Sequence, residues 1–227
     1  MKENLTELVI ILDRSGSMGG LESDTIGGFN SLIRKQQKEE GEAYVSTVLF
    51  DDVCEVIHDR VNIKDINPLT EEEYFVRGCT ALLDAVGGAI QHIGNVHKYA
   101  REEDRPAKTL FIITTDGMEN ASKEYTYEKI KKMIERQKEK YHWEFMFLGA
   151  NIDAIEVAGH MGIHRDRAVN YNCDSAGTAL NYCVLDEAVT RIRKCEAKAM
   201  SQVFDGGDWK EKIEKDYKKR SGKKEKR

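Results

Sequence analysis

Leu8-Val9-Ile10-Ile11-Leu12 runs without a break into Asp13-Arg14-Ser15-Gly16-Ser17. Five apolar residues in a row, largely β-branched, read as a strand buried on both faces. Similar runs recur at Thr109-Leu110-Phe111-Ile112-Ile113-Thr114 and at Phe145-Met146-Phe147-Leu148. Between them lie stretches with helical spacing: Leu21 to Lys38, Leu82 to Tyr99, Tyr127 to Lys140, Asp153 to Met161 and Ala176 to Met200. Ala43 to Phe50 reads as a second strand. Asp51-Asp52 then turns the chain, so that Val53 to His58 pairs back as a hairpin. Ala168 to Tyr171 is a weak last strand. The alternation predicts an α/β fold: a doubly wound, mostly parallel six-stranded sheet with one antiparallel edge strand and helices on both faces, Rossmann-like in layout. Gly27-Gly28 weakens the first helix, and close packing against a neighbour would explain it.

The first strand delivers an Asp and two Ser to a loop at its carboxyl end, where open α/β sheets place their ligands. Carboxylate and hydroxyl oxygens are hard ligands, suited to Mg²⁺ or Mn²⁺. In a non-helical loop, alternate side chains can converge on one ion. A strand-to-helix turn capped by Ser or Asp accounts for the same five residues, and the pentapeptide alone does not separate the two. Two further loops carry the same chemistry. Gly78-Cys79-Thr80 puts a threonine at the mouth of the Leu82 helix, where it could also serve as an N-cap. The strand ending at Thr115 stops at Asp116-Gly117, a second Asp at the carboxyl end of a central strand.

Asp13-x-Ser15-x-Ser17, Gly78-x-Thr80 before a helix, and the strand ending Thr115-Asp116-Gly117 resemble, in order and spacing, the von Willebrand factor A (VWA) domain with its metal-ion-dependent adhesion site, the MIDAS. The resemblance runs from about Thr6 to Tyr171 and is closest to the single-domain bacterial or phage type. It implies Mg²⁺, with Mn²⁺ or Ca²⁺ as alternatives, held by the hydroxyls of Ser15, Ser17 and Thr80. Asp13 and Asp116 would supply charge directly or through water. It further implies a protein-binding role without catalysis, in which a partner's Asp or Glu takes the open metal position. Arg14 occupies a freely variable slot, expected to face solvent or to help attract an acidic ligand. Glu119 and Asn120 are expected to rim the site.

A Mg²⁺-dependent hydrolase or phosphotransferase is the rival reading, since an Asp-lined strand end also suits phosphoryl chemistry. Against it, the sequence has no Gly-x-x-x-x-Gly-Lys-Ser/Thr loop, and Ser stands where an Asp-x-Asp pair would need its second Asp. A third reading is a metal that only ties the loops together. His160 and His164 are four apart, but Gly162 interrupts the spacing and no third ligand is near.

No apolar run approaches the roughly 18 residues of a membrane-spanning helix. The polar start, Met1-Lys2-Glu3-Asn4, is unlike a signal peptide. Five cysteines, an odd number without Cys-x-x-Cys spacing, argue against a disulfide framework. A cytoplasmic protein with no membrane partner is expected. The net charge of −5 divides into +6 from Trp209 to Arg227 and −11 over the rest. That division predicts a folded domain over 1–204 and a basic, flexible tail over 205–227, the one segment suited to touching nucleic acid.

Overall fold

The structure, a computed structural model, describes residues 1–224, with side chains through residue 220. Its strands are β1 (Lys2–Asp13), β2 (Glu42–Phe50), β3 (Cys54–Asn62), β4 (Pro106–Thr115), β5 (Glu144–Gly149) and β6 (Ala168–Asn170). They form one sheet in the order β3-β2-β1-β4-β5-β6, parallel except for the β2–β3 hairpin at the edge. The main helices are α1 (Glu22–Gln36), α2 (Leu82–Tyr99), α3 (Tyr127–Tyr141), α4 (Ala154–His160), α5 (Ser175–Lys194) and α6 (Glu211–Lys224). The expected sheet is therefore the one observed.

Because successive strand residues point to opposite faces, β1 feeds two cores. Leu8, Ile10 and Leu12 pack with Phe29 of α1 and with Leu185 and Ile192 of α5. Val9 and Ile11 pack with Leu82 and Val86 of α2 and with Ile130 of α3. Both neighbours of β1 are parallel strands, so its carboxyl end opens at the middle of one sheet edge. Gly28 shows why α1 tolerates its glycine pair. A Cβ there would lie 2.0 Å from the Tyr182 ring of α5, whereas Gly27 faces open space. Only one of the two is required by packing.

The segment expected as a basic, flexible tail carries secondary structure in its described residues. Beyond α5 the chain makes short 3₁₀ turns, reverses at Gly206 and Gly207 (φ 78° and 75°) and enters α6. Trp209 and Ile213 are 5% and 1% exposed and belong to the α1–α5 core. The Trp209 indole donates to the Asp166 carbonyl at 2.6 Å, and Lys210 Nζ to the Arg165 and Ala168 carbonyls at 2.7 Å. Two apolar residues one helical turn apart anchor the segment, and the surrounding lysines conceal them in a charge count. Trp209 and Ile213 thus pack against the body of the domain, within the segment read from the sequence as a flexible tail; residues 225–227 lie outside the described residues. Among the described residues no helix is long and apolar enough to cross a membrane.

Candidate metal centre

β1 and β4 are paired in parallel through Leu12 and Thr114, so their carboxyl ends bring Asp13 and Asp116 to adjacent positions. Asp13 is 1% exposed. Its Oδ1 accepts the Ser15 N–H at 2.7 Å and its Oδ2 the Thr115 hydroxyl at 2.6 Å. The Ser15 and Ser17 hydroxyls lie 2.9 Å apart, and Ser17 Oγ donates to Asp116 Oδ1 at 2.5 Å. Gly117 places the fifth residue: a Cβ there would stand 3.1 Å from both Ser17 Oγ and Thr80 Oγ1. The absence of a side chain at Gly117 leaves that space to the two hydroxyls. The five residues singled out in the sequence, Asp13, Ser15, Ser17, Thr80 and Asp116, are brought together at one point.

Helix capping does not explain the hydroxyls. The N-caps of α1 and α2 are Leu21 and Ala81, neither with a side-chain cap, and Ser15 precedes a short 3₁₀ turn without capping it. Instead the Ser15 and Ser17 hydroxyls bond to one another, and that of Ser17 to the Asp116 carboxylate. The donors to Asp13 are neutral. Burial raises its carboxyl above the ordinary value, the bonds from Ser15 and Thr115 lower it, and the Asp116 charge raises it further. Among the described residues no group of three or more His, Cys, Asp or Glu is placed to hold a metal. The donor set is two carboxylates and three hydroxyls, all oxygen, with negative charge that its neutral donors do not cancel. That chemistry fits a hard divalent cation.

Several supporting residues were not legible in the sequence. Arg14, expected to face solvent or a ligand, is fully buried. Its Nε meets Asp51 Oδ2 at 2.8 Å and its Nη1 meets Glu55 at 2.8 Å. Asp51, read as a mere turn residue, also accepts from Arg77 Nε at 2.8 Å, while its carbonyl accepts the Ala81 N–H at 2.7 Å. It thereby ties the Asp13–Ser17 loop to the Thr80 loop. Tyr74 OH holds the Asp13 carbonyl at 2.6 Å. Asn120 Oδ1 accepts the Thr80 N–H at 2.9 Å. Glu119 accepts the Leu83 N–H at 2.9 Å, and Asp84 in return accepts the N–H groups of Lys123, Glu124 and Tyr125. Glu119 and Asn120, expected at the rim, stitch the second and third loops together. On the far side of Asp116, Cys173 Sγ lies 3.3 Å from Oδ2. Burial and the Asp116 carboxylate push this thiol up to about 12. Glu119-Asn120 beside Asp116-Gly117 was the only local signal; the other partners are distant in sequence.

No protein-family model matches the sequence, and no curated protein does. Solved structures do. The vWF domain of the type V pili tip protein Mfa5 from Porphyromonas gingivalis superposes with a TM-score of 0.59 at 10% identity, covering 84% of this chain and 96% of that one. The chain carries the von Willebrand factor A fold. A VWA protein from Catenulispora acidiphila gives a TM-score of 0.53 at 15% identity, over 85% of this chain and 43% of that one. Proximal thread matrix protein 1 from the mussel byssus, solved with a zinc-occupied MIDAS motif, gives 0.57 at 13% identity, over 83% of this chain and 46% of that one. The chain thus spans about half the length of the mussel protein. In this VWA fold the five oxygen-bearing residues sit on the loops after β1, before α2 and after β4, at the carboxyl edge of the sheet.

Proposed function

We propose that this VWA domain binds a protein partner through a divalent metal, Mg²⁺ in the cell, with a partner Asp or Glu completing the coordination. The observation that carries the reading is the hydrogen-bonded run Ser15–Ser17–Asp116, with Thr80 beside it and none of the hydroxyls used as a cap. Ser15, Ser17 and Thr80 would offer neutral oxygens, and Asp13 and Asp116 the charge. Bound there, the ion supplies an electrophilic position for an external carboxylate. Asp51, Tyr74, Asn120 and Glu119 hold the loops so that the oxygens converge without rearrangement of the strands. Five cysteines free of disulfides accord with a reducing, cytoplasmic setting.

Thermal unfolding against Mg²⁺ and Mn²⁺ tests the metal site, because a ligand of the folded state raises the midpoint by mass action. The midpoint should rise with dose in the parent chain and stay flat in Ser17→Ala and Asp116→Ala. Partner capture should then be abolished by EDTA. A parent chain indifferent to millimolar metal would overturn the reading. Turnover of a generic phosphate ester would replace it with the hydrolase reading.

A further inference from the structure

Asp116 is 1% exposed, and its two oxygens have different company. Oδ1 accepts from Ser17 Oγ on the side of the five converging residues. Oδ2 accepts from Cys173 Sγ, on the turn between β6 and α5. A cation among the hydroxyls competes for Ser17 Oγ and for Oδ1, so the Ser17 bond is the one given up. The Cys173 bond lies on the opposite oxygen and can persist. It is then the side-chain contact that keeps the carboxylate plane set.

The turn that carries Cys173 is itself held. Asn172 Nδ2 donates to Asp216 of α6 at 3.0 Å. Arg220 of α6 donates through Nε to Asp216 at 2.9 Å and through Nη1 to Asp174 at 2.5 Å. Asp174 Oδ1 accepts the Gly177 N–H at 2.8 Å as the N-cap of α5. A Cβ on Gly177 would come within 1.9 Å of the Asn172 carbonyl, so the turn is closely wound onto the helix. Both residues flanking Cys173 are therefore tied to the C-terminal helix.

We propose that Cys173 is a positioning residue for the metal site, holding the outer oxygen of Asp116 through its thiol, and that α6 fixes the turn that presents it. The proposal rests on the metal-site reading above. Removing an outer hydrogen-bond partner of a metal ligand typically weakens metal affinity at least tenfold.

The test is Mn²⁺ affinity, from the metal dependence of the unfolding midpoint and from the Mn²⁺ electron paramagnetic resonance signal. It is run on the parent chain and on Cys173→Ala, Cys173→Ser and Arg220→Gln, each also unfolded without metal. Cys173→Ala should raise the Kd about tenfold. Cys173→Ser, which keeps a donor, should recover most of that affinity. Arg220→Gln should move the Kd in the same direction as Cys173→Ala, by less. A parent chain that binds Mn²⁺ while Cys173→Ala binds equally well would overturn this inference and leave the metal site standing. So would equal weakening in the Ala and Ser variants, or a Kd change matched by an equal loss of metal-free stability. A parent chain that does not bind Mn²⁺ removes the metal-site reading and this inference with it.

Discussion

Asp13 and Asp51 stand at the ends of neighbouring parallel strands, with Asp13 paired in register to Phe50, and both are buried. Their surroundings are opposite. Asp51 receives two guanidinium groups, from Arg14 and Arg77, and although burial pushes its carboxyl up, these bonds and that of the Val53 N–H bring it below the ordinary value. Asp13 receives an amide and a hydroxyl, has Asp116 nearby, and is shifted the other way, first by burial. One carboxylate is neutralised from within and becomes part of the scaffold. The other receives only neutral donors among the hydrogen bonds of the described residues, which suits it to a cation from outside the chain. The difference separates a structural acid from a candidate ligand more clearly than burial does.

The contrast can be broken at Asp51 first. Asp51→Asn leaves Arg14 buried with a neutral partner in place of a carboxylate, and breaking a buried ion pair costs about 3 kcal/mol. Urea denaturation at neutral pH should show that loss, together with a weaker metal response, because the two loops lose their tie. A change below about 1 kcal/mol would mean that Glu55 and the Glu73 carbonyl suffice for Arg14.

Next comes Asp13. Asn fits the same pocket, since its oxygen can take the Ser15 N–H while its amide donates to Thr115 Oγ1, which turns its own proton to the Gly117 carbonyl. At a hundredfold excess over Kd, metal should add about 2.7 kcal/mol to the parent chain. Asp13→Asn should lose most of that gain while being no less stable than the parent without metal. The pH dependence follows from the raised carboxyl. The folded state holds the Asp13 proton more tightly than the unfolded chain, so between the two pKa values it binds more protons. Metal-free stability should therefore fall as pH rises through that window, and Asp13→Asn should flatten the fall. Asp51 has the reverse sign: its contribution is present above the unfolded value and is lost as pH falls through the lowered one. A pH titration of urea midpoints on both variants separates the two slopes.

The smallest expected effect is at Phe75, whose half-exposed ring lies 5.5 Å from the Arg14 guanidinium and 5.1 Å from that of Arg77. Phe75→Leu should cost about 1 kcal/mol without changing metal affinity. A fall in metal affinity would show that the ring matters to the Asp13 loop and not only to the arginines.

The strand ends were legible because the physics is local. Leu8 to Leu12 and Thr109 to Thr114 declare buried strands, and a charge immediately after such a run has to lie at the sheet edge. The helix from Leu82 to about Tyr99 was legible from its apolar spacing. Arg14 was not, because its partners arrive from Asp51, Glu55 and Glu73, none of them its neighbour in sequence. Cys173 and Asp116 are 57 positions apart and meet only once β6 is laid beside β5. The packing of the C-terminal helix was hidden for a different reason. Ten basic residues dominate the composition from Trp209 onward, but the geometry is set by Trp209 and Ile213.

The seat of Trp209 bears on how the chain can be handled. A truncation after residue 204, shortly before the basic stretch begins, would remove the indole and the isoleucine and open the apolar side of α5 to water. Such a fragment should aggregate on expression. A fusion partner or affinity tag is better carried beyond α6, and a protease that clips near Gly206 should act only after the segment has peeled from the body.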